Sequence, residues 1–320
     1  MDSPELEVNN DMTIAFRATL FEKMCGYHKN CSEEIKKMNE FVSSLPENIK
    51  HKNYAFTLQL YSLMSCMEIF LSSCAIDFLT AYPCSIKRVK IDRNEVGPME
   101  SLTALVNYFA KKEVNELAYQ PALDHIKGIF ERFNEKFDRI LDEKELEIFV
   151  EAKARRDILM HNGGITNYIY VQRTKNCKTR AVEINKHVSL DSKYMSEVEE
   201  VVNKIVSEFF KRCVKKYSEN TKVNIFKEMW NLSSLSKKVP FDKQWEISLL
   251  NNLIIKKFKF RWSGTEQLLF NFFRHIHDSS ESSYQTEQMN IRDIGNALYY
   301  WKGYPDERII LSWLEAPFML

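Results

Sequence analysis

Apolar residues recur three and four positions apart along most of this chain, the spacing that lines up one face of an α-helix. Helices are predicted over 14–25 and 33–45, separated by a break near Gly26; Ile35, Met38, Phe41 and Val42 form the stripe of the second, and Pro46 ends it. Residues 55–81 are apolar nearly all round, which predicts a helix central to the core, stopped by Pro83. Further helices are predicted over 99–113, from Pro121 through Ile126, Ile129, Phe130 and Phe133, and over 143–161. The last of these has Asp142 as its cap and Gly163-Gly164 where a left-handed stop is wanted.

Residues 168–172 and 180–184 are short and rich in β-branched and aromatic side chains, so a small hairpin is expected there. Helical spacing resumes over 192–217 through Met195, Val198, Val202, Ile205, Phe209 and Val214. The polar stretch 218–222 reads as a linker. Helices follow over 224–232, 241–257, 267–275 (opened by a capping-box pattern at Ser263 to Glu266), 286–301, and from Pro305 through Trp313. The expected fold is all-α. Its expected divisions are an N-terminal helical extension (1–49), a main helical domain (50–218) and a C-terminal helical domain (224–320).

Composition agrees. Only 8 glycines and 8 prolines occur in 320 residues, fewer than the turns of a β-sandwich or the phosphate loops of a Rossmann or P-loop enzyme normally require. No Gly-x-Gly-x-x-Gly, Walker or Gly-x-Ser-x-Gly string is present. Net charge is +1, but 14 Lys/Arg face 5 Asp/Glu between Val201 and Trp262. Such a stretch is either a polyanion-binding face or a set of solubilising lysines. Seven cysteines, without a Cys-x-x-Cys pair, read as reduced thiols of a cytoplasmic protein. The apolar run 58–82 is long enough to span a bilayer, yet Glu68 and Asp77 inside it argue for a buried helix and against a membrane.

The chemistry concentrates between Arg155 and Gly164. At about 100° per residue, Val150, Ala154, Asp157 and His161 fall within one sector of about 80°, with Arg156 about 140° round from His161. Polar groups within an apolar stripe must be satisfied internally or face another surface. Two readings stand here. Asp157 and His161 form an ordinary stabilising pair at a helix C-terminus, or they belong to a site.

Arg156-Asp157-x-x-x-His161, followed by Asn162 and glycine, resembles the Arg-polar-x3-His signature of the HEPN superfamily (higher eukaryotes and prokaryotes nucleotide-binding). The run from Ser62 to Leu71, containing Glu68, is similar to the acidic position and aromatic-Leu ending of an earlier core helix in that family. The resemblance covers roughly residues 50–218. It implies a HEPN-like helical bundle acting as a homodimer, in which the motif helices of two protomers meet. It also implies a metal-independent endoribonuclease with no cofactor, in which the RNA 2′-OH attacks the adjacent phosphate. His161 would then move protons, Arg156 would hold the phosphate charge, Asp157 would orient His161, Asn162 would position it or contact RNA, and Glu68 would support the site from behind. Toxins and anti-phage effectors with a separate antitoxin or sensor are common among such proteins. Some members are instead non-catalytic dimerisation or nucleotide-binding modules.

Two other constellations carry less. His275, His277 and Asp278 offer three metal donors without an evident fourth. The Lys256 to Trp262 stretch mixes cations with rings, as single-strand RNA binders do, but Phe258 and Phe260 serve equally as core anchors.

Overall fold

A computed structural model describes residues 14–46, 52–86, 102–138, 140–177, 182–237 and 305–316, with positions 269, 272 and 273. About 80% of what is described is helical, without strands, so the protein is all-α. In chain order the helices are α1 (Arg17–Ser44), α2 (Lys52–Ala81), α3 (Leu102–Ala118), α4 (Ala122–Arg132), α5 (Glu143–His161), α6 (Tyr168–Arg173), α7 (Ser192–Phe209), α8 (Lys222–Leu232) and α9 (Pro305–Glu315). The predicted segments 241–257 and 286–301, the basic aromatic stretch 256–262 and the His275-x-His277 pair lie outside the described residues.

The apolar surface of α2 dictates the architecture. α2 packs against α1, α3, α4, α5 and α7, burying Leu60, Leu63, Met64, Met67, Phe70, Leu71, Phe78 and Leu79. Each such side chain contributes roughly 1.5–3 kcal/mol when removed from water. This is the one described helix long and apolar enough to cross a membrane. The carboxylates inside it have partners: Tyr27 donates to Asp77 over 2.8 Å, and Glu68 accepts from Lys153 and Arg156. Below Phe70, the ring of Phe209 meets Phe70, Phe130 and Phe133 edge-on at 5.1–5.5 Å, and Phe78 stacks on Phe133 at 4.4 Å. α7 then continues through a π-turn (Phe210–Val214) and a 3₁₀ turn (Lys215–Tyr217).

Two expectations are corrected. No break occurs at Gly26: α1 runs unbroken across it, and Leu20, Met24, Cys31, Ile35 and Val42 share the core of α2 and α7. The cost of one helical glycine, about 1 kcal/mol, is small beside that burial. The hairpin is not formed either. Tyr168–Arg173 is helical because Asn167 caps it, accepting from the Tyr170 amide over 3.0 Å. Among the described residues, what remains of a β pairing is a single antiparallel bridge, Ile165 to His187, flanked by hydrogen bonds between Thr166 and residues 185 and 186.

After a turn at 218–221, α8 starts at Lys222 with Thr221 as its cap. Phe226 and Trp230 meet Phe273, and Phe272 meets Trp313 of α9, forming a second aromatic cluster. It is tied to the N-terminus by Arg17 to Glu228 at 2.7 Å and by the Ala15 amide to Ser312 at 2.9 Å.

Candidate functional site

The motif helix α5 begins with a full capping box. Asp142 accepts from the Glu145 amide over 2.8 Å, and the Glu145 carboxylate accepts from the Asp142 amide over 2.8 Å. It ends as the glycine pair requires: Gly163 and Gly164 adopt φ of +58° and +78°, and the Gly164 amide reaches back to the Ile158 carbonyl at 3.1 Å. Both helix ends are therefore fixed, and with them the direction in which each polar side chain leaves.

Arg156 points at α2. Its Nη2 donates to both oxygens of Glu68, at 3.0 and 2.8 Å, and its Nη1 lies 3.3 Å from Asp157. Only 16% of its side chain is exposed, and its Nε–H is buried without an acceptor among the described residues. Lys153, one turn earlier, also holds Glu68, at 2.7 Å. Burial raises the Glu68 pKa; Lys153, then Arg156 and His125, outweigh it, so the carboxyl sits below the ordinary glutamate value. Tyr61, two turns before Glu68 on α2, is within the electrostatic reach of Arg156: burial raises its hydroxyl and the guanidinium opposes the rise.

His125 of α4 stands behind this pair. It is 2% exposed, its Nδ1 is 3.5 Å from Lys153 Nζ, and its Nε2 is buried without a partner among the described residues. Burial and then the Lys153 charge depress its pKa to about 4, against the opposing pull of Glu68.

Asp157 and His161 do not pair. The partners of Asp157 are Arg173 of α6, at 2.5 Å, and Arg156. His161 is exposed at the end of α5 and has no hydrogen bond or ion pair among the described residues. Asn162 is exposed as well; its Nδ2 donates to the Ile165 carbonyl over 2.5 Å, shaping the turn after the helix. Exposed apolar side chains surround this end of α5: Met160, Ile165, Tyr168 and Ile169, with Ile69 next to Glu68 on α2. The structure thus brings Glu68, Arg156 and Asp157 together, with His161 and Asn162 exposed at the end of the same helix.

Sequence reasoning missed three members. Lys153 and His125 had no motif to mark them, although Lys153 at i−3 from Arg156 shares its face of the helix. Arg173 was hidden because its segment reads as a strand. A separate buried network also escaped notice. Glu151, 0% exposed, accepts from Arg155 Nε, Tyr170 Oη and Tyr194 Oη, each at 2.7 Å. Arg155 also donates to the Ser189 carbonyl at 2.7 Å and lies 4.2 Å from the Tyr194 ring. Burial, reinforced by Glu151, pushes both tyrosine hydroxyls up. This network clamps α6 and the start of α7 onto α5, around a small core of Ala154, Ile158, Tyr170 and Val188.

All seven cysteines are free. Burial pushes Cys31 up to about 12 and Cys177 up to about 11, which makes them packing residues and poor nucleophiles. Compared with known protein families, with curated proteins and with solved structures, the chain gives no match.

Proposed function

We propose that the chain is a metal-independent endoribonuclease of HEPN type, active as a homodimer in the cytoplasm and serving as a toxin or anti-phage effector restrained by an antitoxin or sensor protein. The observation that carries this reading is the setting of His161: an exposed imidazole without a partner among the described residues, on the same helix as an arginine fixed by Glu68. Arg156 and His161 leave that helix about 140° apart and about 7.5 Å apart along its axis, so one copy does not aim both at one phosphate. A second copy facing the exposed apolar surround of His161 supplies the missing convergence.

In the reaction, the O2′–P bond forms and the P–O5′ bond breaks. One imidazole takes the 2′-OH proton, and a proton is delivered to the departing 5′-oxygen, leaving a 2′,3′-cyclic phosphate and a 5′-hydroxyl end. Cationic guanidinium hydrogen bonds stabilise the charge on the phosphorane oxygens. The decisive test is cleavage of tRNA and mRNA in EDTA by wild-type protein, His161→Ala and Arg156→Ala, with each shown to be folded and dimeric. Cleavage lost in both variants supports the reading. Cleavage that survives His161→Ala removes it.

The second reading is a non-catalytic dimerisation or RNA-binding module. One observation favours it: Arg156 is mostly buried and engaged by two carboxylates, as a structural ion pair would be. Under that reading, wild-type protein dimerises and leaves RNA intact.

A further inference from the structure

The charged cluster around Arg156 contains three cations, Lys153, Arg156 and Arg173, and two carboxylates, Glu68 and Asp157, a surplus of one positive charge. Where that surplus meets solvent follows from donor arithmetic. A guanidinium has five N–H donors. Arg156 directs Nη2 at both oxygens of Glu68 and Nη1 towards Asp157, and its Nε–H is buried, so it has little left to offer an incoming group. Arg173 is 51% exposed and uses only Nη1, on Asp157. Its Nε and Nη2 make no hydrogen bond among the described residues.

Arg173 is also held in place. Tyr170, one turn earlier on α6, is bolted to Glu151 of the motif helix, and Asn167 caps α6. Asp157 then fixes the guanidinium on the same side of α5 as Arg156. A pre-positioned, half-exposed arginine whose Nε and Nη2 are uncommitted among the described residues suits a phosphate oxygen pair.

We infer that Arg173 is the phosphate-binding cation of this site, contacting the RNA backbone directly, while Arg156 acts as a positioning residue that holds Glu68 and Asp157. Asp157 restrains Arg173 and does not serve His161. The inference rests on the ribonuclease reading of the site and reassigns the roles within it.

The test uses the full-length chain with His161→Ala, so that RNA stays intact, and a fluorescein-labelled single-stranded oligoribonucleotide titrated at several salt concentrations. Adding Arg173→Ala is expected to weaken binding about tenfold, the scale of one charge-assisted contact, and to reduce the slope of log K against log salt by about 0.7. Arg173→Lys should fall between. Adding Asp157→Asn should tighten binding, because it frees the guanidinium and removes a negative charge. Opposite signs for Arg173→Ala and Asp157→Asn separate a ligand from a bolt. If the two residues merely pin α6, both changes weaken binding alike and the inference is overturned. Cleavage by wild type with an unmoved Arg173→Ala salt slope overturns the inference and leaves the ribonuclease intact. The expected binding pattern without any wild-type cleavage does the reverse. An oligoribonucleotide that does not bind at all removes both.

Discussion

Arg156 on α5 and Glu68 on α2 stand 88 positions apart in sequence and are joined by two hydrogen bonds from one guanidinium nitrogen, at 3.0 and 2.8 Å. This pair locks the motif helix to the most buried helix of the core, so it carries stability as well as any chemistry. His161, five residues on, is exposed and makes no such tie among the described residues. That division makes the two motif residues separable by experiment.

Replacing Glu68 by glutamine leaves Lys153 and Arg156 without their shared carboxylate in a partly buried setting. A loss of about 2 kcal/mol in unfolding free energy is expected, since removing one partner strands the others. Urea denaturation reads this directly. Arg156→Ala should cost roughly 1–2 kcal/mol. His161→Ala, at an exposed position with no partner among the described residues, should stay within about 0.5 kcal/mol.

Glu151 is the more severe case. It is fully buried and accepts from three donors, so Glu151→Ala should cost about 3–5 kcal/mol, stranding Arg155 in the interior. Tyr170→Phe removes one of those donors and should cost about 1–2 kcal/mol. Hydrogen exchange will show the difference in place: in Tyr170→Phe, the amides of 165–174 and 185–188 should lose protection before those of α2. Uniform loss across the molecule would contradict the clamp assigned to this network.

Stability should fall with acid through His125. Its pKa is about 4 in the fold against 6.5 ordinarily, so the unfolded chain binds the extra proton between those values. Stability is therefore complete above about 6.5 and declines as pH drops towards about 4, by at most about 1.4 kcal/mol per pH unit. Glu68 acts at lower pH: its depressed pKa contributes stability present above the ordinary value of 4.5 and lost as pH falls further. His28, also lowered by burial, adds a slope of the same sign. Comparing wild type with His125→Gln by urea titration from pH 7 to 4.5 isolates the His125 share as a difference in slope.

The helix stop makes a steric prediction. At Gly164, with φ of +78°, an added Cβ would lie 3.0 Å from His187 Cε1 and 3.1 Å from Leu159 Cδ2. At Gly163, φ of +58°, it would meet nothing within 4 Å. Gly163→Ala should cost about 1 kcal/mol, the left-handed penalty alone, and Gly164→Ala more, because the two side chains must also give way. Equal thermal shifts for the two variants would argue against the packing of His187 on this turn.

Much of the framework was written locally. The capping box of Asp142 and Glu145, the Gly163-Gly164 stop, the all-round apolar α2 and the stripe of α7 depend on residues within a few positions of one another, so spacing alone reveals them. Asp142 and Gly163 bound α5 as the pattern requires. Local patterns failed where distant packing outweighed them. Gly26 looked like a break, yet the burial of Met24 and Cys31 against α2 keeps α1 whole. The β-rich look of 168–172 yielded to the Asn167 cap and to Tyr170 finding Glu151.

The candidate site divides in the same way. Arg156, Asp157, His161, Asn162 and Glu68 were legible as types at a spacing, but which side chain bonds to which was not. The i to i+4 spacing of Asp157 and His161 allows a pair; the arrival of Arg173 from α6 gives Asp157 a permanently charged partner instead. Lys153 and His125 joined only because α4, α5 and α2 converge on one carboxylate. Sequence determined the helices, their ends and the residue types on each face, because those follow from neighbours along the chain. The tertiary structure alone decided the ion pairs between helices, such as Arg156 with Glu68 and Arg173 with Asp157, since a charge takes the partner that folding brings within about 3 Å, however far away it lies in sequence.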